Sequence, residues 1–431
     1  HQSRQKDRGE QERRHQLAQH VAGQNSQSGG SSPTPRVVRF RSIAPLRGLT
    51  RTGRRRNIPG HGPFGSLSHS DPSASRRGAR MSGDSPAPGS VVIVLLSAIG
   101  DVVHGMPIAS SLRKAWPDTR IHWVIQPVGR ELVDPHPAVD EFLLFDRSGG
   151  VAGFRDFRRQ IAGRSFDLTI GLQVYMKAGV LTGMLPSRRK LGFDRARARD
   201  LNWLFTNERI PAHAPQHVQD QYLEFLEYLA VPARREWEFG FSQEERQAQA
   251  RFFDRIDRPP LAVVLRTTRP GKNWPLDRYA RVLEIAESDL GLQPVLIGSR
   301  APAEAAAADE LIRLTRARPI NALENDLRRV AWILDGSRFA LSPDTGPLHI
   351  AVGLGTPTVS LFGYTDPKRV GPYRRFHDLV IDRYTRPGEV TPTMEFRPGN
   401  MERITVEEVA EKLERAVRTY GVDGTIPVPR S

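Results

Sequence analysis

Three short segments carry side chains whose types and spacing suit chemistry. The first is residues 97–107, SAIGDVVHGMP. An apolar run ends there, Gly100 makes a turn, and Asp101 stands at the start of a helix. A carboxylate at a cleft-facing helix start can accept a proton from an incoming hydroxyl. It can equally be a helix N-cap, a common use of aspartate. Gly100 would let a substrate approach closely, and His104 could face the same cleft, although a lone helical histidine is more often packed or solvated. The second segment, 264–275, reads VLRTTRPGKNWP and places Thr267, Thr268 and Lys272 just past a strand. Two hydroxyls and an ammonium suit a phosphate or diphosphate, with lysine acting as a point charge. An ordinary polar loop has the same composition, and Trp274 reads as core. The third and most specific segment is 341–351, LSPDTGPLHIA. Asp344, Thr345 and Gly346 stand between a strand and a helix, and Pro347 suits the first helical turn. Free N–H groups at such a helix start form an anion site that the helix dipole favours. His349 lies one turn in; a well-capped turn with a packed histidine is the plainer reading. A second turn, GYTDP at 363–367, follows the next strand and would border the same cleft.

The elements that must position these residues alternate. Apolar, β-branched runs at 91–96, 121–126, 141–145 and 168–172 read as strands, with a short one at 191–193. Residues 102–115 read as a helix closed by Trp116-Pro117-Asp118, and 222–229 belong to a helix ending near Val231-Pro232. The pattern then restarts. Strands are expected at 261–265, 294–297, 338–341 and 358–362. Helices are expected at 276–289, 301–315, 327–334, 348–353 and 406–417. Short apolar runs separated by helices mean parallel strands in βαβ units. The expectation is an α/β chain with two doubly wound domains, 91–240 and 241–431, facing across a cleft. Ligands of such sheets bind beyond the carboxyl ends of the strands, where the loops after Leu96 and Leu341 lie.

The 431 residues carry 63 Lys and Arg against 48 Asp and Glu, a net charge of +15. Most of it is local: residues 1–80 hold 16 basic and 4 acidic residues, so the remainder is nearly balanced. A nucleic-acid partner inferred from net charge would therefore mislead. The chain has no cysteine, which excludes disulfides, thiolate nucleophiles, zinc–cysteine sites and iron–sulfur clusters and fits a reducing compartment. No run of about 18 apolar residues is present, so no spanning helix is expected. Residues 1–90, with Gly-, Ser- and Pro-rich runs and weak apolar periodicity, read as a disordered basic segment. The first methionine is Met81, just before the first strong strand, and natural translation is expected to begin at or near it. The alternative is a basic tail touching anionic lipid or nucleic acid through Arg54, Arg55 and Arg56. The segment lacks the apolar core of a secretory signal.

The three segments, in this order, resemble the ADP-heptose–lipopolysaccharide heptosyltransferase family, glycosyltransferase family nine. The resemblance spans about 91–420, with SPDTGPLHIA and its TDP follow-on as the strongest marker. It implies the GT-B architecture, two Rossmann-like domains with the acceptor in the first and the nucleotide sugar in the second. It implies Asp101 as general base, Thr267, Thr268 and Lys272 on the donor phosphates, and Asp344, Thr345, Gly346 and His349 around the diphosphate and sugar. The implied chemistry is inverting transfer from ADP-heptose to lipid A–Kdo, the inner core of lipopolysaccharide, without metal or cofactor. It implies work at the cytoplasmic face of the inner membrane, held peripherally. No clustered Asp-x-Asp or His/Asp set suggests a metal site.

One departure stands out. Family members often carry an acidic residue near the nucleotide ribose, soon after the second strand of the second domain; here 298–301 read Gly-Ser-Arg-Ala, and Glu304 comes later. On the acceptor side, 186–200 (PSRRKLGFDRARARD) carry Arg188, Arg189 and Lys190, which suit carboxylates or phosphates but equally suit a solvated basic loop. A transferase of the same family using another sugar nucleotide remains open, as does a sugar-nucleotide epimerase of the same architecture. A nucleic-acid-binding protein would rest on the basic tail alone.

Overall fold

A computed structural model describes residues 86–421. The expected start at Met81, the expected disorder over most of 1–90 and the Arg54–Arg56 cluster lie outside the described residues. The first half contains β1 (Ser90–Val94), α1 (Ile99–Ala115), β2 (Arg120–Ile125), α2 (Pro127–Val133), β3 (Glu141–Leu144), α3 (Gly150–Gln160), β4 (Phe166–Gly171), α4 (Met176–Met184), β5 (Ser187–Gly192), β6 (Glu208–Arg209) and α5 (Val218–Tyr228). The second contains α6 (Gln243–Phe253), β7 (Pro260–Val264), α7 (Leu276–Ser288), β8 (Gln293–Ile297), α8 (Pro302–Leu314), β9 (Ile320–Asn321), α9 (Leu327–Gly336), β10 (Phe339–Pro343), α10 (Gly346–Leu354), β11 (Thr358–Phe362), α11 (Pro367–Val370), β12 (Val380–Asp382) and α12 (Val406–Tyr420).

The strands form two six-stranded sheets, in the orders β3-β2-β1-β4-β5-β6 and β12-β11-β10-β7-β8-β9. Every pairing is parallel. Central strands of a parallel sheet are covered on both faces and must be apolar throughout. That is why SVVIV, PLAVV and TVSLF are continuous rather than alternating runs, almost wholly buried. Helices cover the sheets with one apolar stripe. In α12 the buried Val406, Val409, Ala410, Leu413 and Ala416 keep helical spacing. Its start is a reciprocal cap: Glu408 N–H donates to Thr405 Oγ1 at 3.3 Å, and Thr405 N–H to the Glu408 carboxylate at 2.9 Å. Strand order reverses between β1 and β4 and between β7 and β10, and a crevice opens beyond the carboxyl ends at each reversal.

One apolar cluster runs through both halves, joining Val91 and Ile93 to Ala262, Ile333 and Ile350. Arg328 of α9 pins the seam from within. Its guanidinium grips Glu245 of α6 with two contacts of 2.6 Å and donates to the carbonyls of Leu132 (3.0 Å) and Phe239 (2.6 Å). A buried guanidinium is tolerable only when its donors are met in this way.

The basic stretch at 186–200 is not a loop throughout, and the short strand expected at 191–193 is the end of a longer one. Residues 187–192 form β5, hydrogen-bonded between β4 and the two-residue β6. Arg189 forms a two-pronged pair with Glu208 (2.7 and 2.8 Å), and the Lys190 ammonium donates to the Gly183 carbonyl at 2.7 Å. These side chains close the flank of the sheet. Arg188 is exposed. All three precede the carboxyl end of β5 and do not line the cleft, which corrects their expected place at the acceptor. The cause is strand direction: only the residues after Gly192 reach the cleft edge.

Candidate functional site

The loop after β1 leads straight into α1, whose first residue is Ile99 and whose N-cap is Ala98. Asp101 is therefore the third helical residue, not the cap. One carboxylate oxygen reaches back to accept the Ala98 N–H at 2.9 Å; the other receives the Tyr222 hydroxyl of α5 at 3.4 Å. Gln173, just past β4, fixes the preceding loop: it accepts the Leu96 N–H at 3.0 Å and donates to the Ser97 carbonyl. Asp101 lines a cavity of about 170 Å³ with Gln173 and Tyr222 from the first half and Thr365, Arg369 and Met394 from the second. Burial pushes its carboxyl above the ordinary value; the Ala98 N–H, the charges of Arg369 and His349, and the Tyr222 hydroxyl pull it part of the way back. A carboxylate held there is a stronger base than an exposed one.

Across the crevice, β10 ends at Pro343 and α10 starts at Gly346, with Thr345 as an extended N-cap residue whose side chain makes no cap hydrogen bond. Asp344 sits in that turn, buried and fully engaged. Lys272 donates to its carboxylate at 2.6 Å and its carbonyl at 3.1 Å, Thr365 Oγ1 donates to it at 2.5 Å, and His349 Nε2 lies 3.4 Å from its other oxygen. Burial alone would raise the Asp344 carboxyl. The His349 hydrogen bond and the Lys272 charge outweigh burial and hold it well below the usual carboxylate range. Asp344 therefore stays anionic and ties three segments together at the α10 start, whose first N–H groups are suited to an anion. Of the other expected phosphate ligands, Thr267 directs its hydroxyl to the Arg269 carbonyl at 2.7 Å within its own loop, while Thr268 is exposed. At the carboxyl end of β8, Glu304 folds back to accept the Ser299 N–H at 2.5 Å, which brings a carboxylate beside the Gly298 turn.

The starts of α1 and α10 abut. A Cβ on Gly100 would meet the His349 ring at 2.5 Å, and one on Gly346 would meet the Ile99 side chain at 2.8 Å. Gly100 thus admits the His349 ring rather than a substrate, a correction to its expected role. His104 is also corrected. It is buried between the halves, with Nδ1 2.9 Å from Gln219 Oε1 and its ring 4.9 Å from His349 and 5.6 Å from His217. Desolvation pushes its imidazole well below the ordinary value, so it is a neutral packing group. The helical period is the reason, turning position 104 toward α5 and α10 rather than toward the cavity. Among the described residues, no group of three or more His, Asp or Glu is placed to hold a metal ion.

Sequence reasoning missed Gln173, Tyr222, Arg369 and Met394. Gln173 carried a faint signal, a lone amide at the end of an apolar strand. The other three lie far along the chain from Asp101, and only packing identifies them.

Residues 154–390, more than half of the chain, match the sequence profile of Glycosyltransferase family 9 (heptosyltransferase). The lipopolysaccharide core heptosyltransferase OpsX of Haemophilus influenzae is 29% identical over 296 residues, covering 68% of this chain and 84% of that protein. Lipopolysaccharide heptosyltransferase 1 of Salmonella typhimurium is 28% identical over 299 residues, covering 66% and 91%. Among solved structures, a family 9 glycosyl transferase from Veillonella parvula superposes with a TM-score of 0.67 at 22% identity, covering 77% of this chain and 97% of that one. The Escherichia coli heptosyltransferase WaaC, solved with ADP, gives 0.62 at 24% identity, covering 76% and 99%. At these identities the structural likeness establishes the fold, two Rossmann-like domains in the GT-B arrangement.

Proposed function

The chain belongs to glycosyltransferase family 9, and from that premise we propose that it transfers heptose from ADP-heptose to the inner core of lipopolysaccharide, with Asp101 as general base. The observation that carries this reading is the pairing of a half-buried carboxylate on α1, Asp101, which lines the cavity, with an anion-suited helix start on α10, across one crevice. Asp101 takes the proton of the acceptor hydroxyl as that oxygen attacks the anomeric carbon. The bond to the nucleoside diphosphate breaks on the opposite face, so the configuration inverts. Charge gathers on the departing diphosphate, where the N–H groups at Thr345 and Gly346, the ammonium of Lys272 and the hydroxyl of Thr268 stabilise it. Preorganised donors of this kind are usually the largest part of catalysis. Glu304, beside the Gly298 turn, supplies the acidic group for the nucleotide ribose that the local sequence otherwise lacks. The acceptor is lipid A–Kdo or a close relative.

The reading includes peripheral contact with the inner membrane from its cytoplasmic side. Tyr175, Met176, Leu201 and Leu204 are exposed apolar side chains near the cleft mouth, with exposed Lys177 and Arg195 nearby. The two segments are joined by Arg199 N–H to the Val174 carbonyl (2.8 Å) and the Asn202 amide to the Tyr175 carbonyl (2.8 Å). Apolar side chains beside cations suit an anionic lipid surface. Among the described residues no helix is long and apolar enough to cross a membrane. The decisive experiment measures nucleotide release from ADP-heptose with and without a lipid A–Kdo acceptor. Acceptor-dependent release is expected. Release from another sugar nucleotide alone would favour a different donor within the family.

A further inference from the structure

The cavity beside Asp101 continues outward into a second one, and the two share Val174, Gln221, Arg369, Thr393, Met394 and Glu395. Neither is lined by Thr267, Thr268, Lys272 or Thr345. This continuous groove is therefore the acceptor side of the site, and Arg369 stands at its midpoint. The surrounding cations are engaged. Lys368 donates to Thr385 and to the Glu389 carbonyl, Arg197 pairs with Asp194 and Glu224, and Arg397 pairs with Glu389. Arg369 is half-buried, and its guanidinium makes no hydrogen bond or ion pair among the described residues. A half-buried arginine that gains no hydrogen-bonded carboxylate in return is a cost that a bound anion would offset. Farther out in the groove, the Arg199 guanidinium donates only to the Met394 sulfur at 3.2 Å and forms no ion pair among the described residues.

We propose that Arg369 clamps the anionic group, carboxylate or phosphate, of an acidic acceptor sugar beside the hydroxyl that Asp101 deprotonates, so that acceptor choice is made partly from the donor-binding half. The inference rests on the glycosyl-transfer reading above. Two observations converge on it: the position of Arg369 in the groove it shares with Asp101, and the lack of a hydrogen-bonded protein partner among the described residues. Its charge also holds the Asp101 carboxyl lower than burial alone would leave it, so an acceptor anion on Arg369 would make Asp101 more basic as the substrate arrives.

The test compares wild type, Arg369→Met and Arg369→Lys with three acceptors: the intact acidic glycolipid, its carboxyl-reduced form and its dephosphorylated form. In Arg369→Met the KM for the intact acceptor is expected to rise about ten- to a hundred-fold, the range of one charge-assisted contact, with donor KM unchanged within about twofold. Arg369→Lys should fall between. Removing the clamped group from the acceptor should raise KM in wild type but add nothing in Arg369→Met, and whichever treatment behaves this way identifies the anion. An unchanged acceptor KM overturns the inference, as does a rise confined to the donor KM. A shift of the acid limb of the pH profile without a KM change would reduce Arg369 to a group that tunes Asp101, and also overturns it. If Arg369→Met fails to fold, Arg369→Lys decides instead: weaker discrimination between intact and neutralised acceptor than in wild type supports the clamp, and unchanged discrimination overturns it. A wild type inactive on every acidic acceptor refutes the functional reading itself, whereas an active wild type indifferent to these substitutions refutes only the role of Arg369.

Discussion

Asp101→Asn separates a base from a helix-stabilising carboxylate. The amide oxygen of asparagine can still accept the Ala98 N–H, the shorter of the two contacts that Asp101 makes at 2.9 and 3.4 Å. The loss of a negative charge in the first turn removes about 0.3–1 kcal/mol of helix-dipole stabilisation. Against that, burial already disfavours the ionised form, so a neutral side chain relieves desolvation. The two effects oppose each other, and the melting temperature should move by no more than about 2–4 °C. Catalysis should respond very differently. Removing a general base costs at least about 100-fold in turnover, or about 2.7 kcal/mol in the barrier. The assay is nucleotide release under saturating donor and acceptor, with donor affinity measured separately by titration and expected unchanged. The pH profile supplies a second signature. The base must be ionised to act, so wild-type kcat/KM should fall as pH drops through a value above the ordinary carboxylate range. That limb should be absent in Asp101→Asn. Activity within a few-fold of wild type, or the same acid limb in the variant, would refute the reasoning and leave Asp101 as a structural carboxylate.

Lys272→Ala removes one partner of a buried ion pair while His349 and Thr365 remain on Asp344, so stability should fall by about 3 kcal/mol and nucleoside-diphosphate affinity by about ten-fold or more. Adding Asp344→Asn should recover stability, read by denaturant unfolding, without recovering affinity; recovery of both would place Lys272 outside the donor site. His217 links the halves: its Nε2 donates to the Gly371 carbonyl at 2.9 Å and its Nδ1 accepts the Gln219 N–H at 3.1 Å, the neutral form, and desolvation lowers its pKa to about 4. The unfolded imidazole titrates near ~6.5, so the associated stability is fully present above that pH and is lost as pH falls toward about 4. His217→Gln should flatten the decline of melting temperature over this window, and an unaltered slope would contradict the assignment. Gly100→Ala drives a methyl group into the His349 ring, so it should cost about 1–3 kcal/mol and depress transfer by separating the two helix starts; normal activity would show that their abutment is dispensable. Leu201→Glu with Leu204→Glu should abolish flotation with anionic vesicles while leaving activity on a deacylated, water-soluble acceptor intact, and retained flotation would exclude this surface.

Local pattern alone settled much of this protein. The central strands of both sheets were legible because parallel strands covered on both faces require unbroken apolar runs such as VVIV and TVSL. The helix starts that carry Asp101 and Thr345-Gly346 were legible because a turn from strand to helix leaves its own chemical marks, and the family resemblance rests on those same turns. Weakly patterned pieces escaped. The four-residue α11, the two-residue β6 and β9, and the basic first part of β5 bury too little apolar surface to impose a period. Partnership was beyond local pattern altogether. Lys272 meets Asp344 across 72 residues, His104 meets Gln219 across 115, and Asp101 meets Tyr222 across 121. Each of these pairings exists because separately wound elements pack their helix starts and faces together. Whether a lysine faces a phosphate or a buried carboxylate, and whether a histidine faces a cleft or a core, depends on what distant parts of the chain bring within hydrogen-bonding reach. Residue type and spacing specify the turn that presents a side chain; the packing of the two halves decides what that side chain meets.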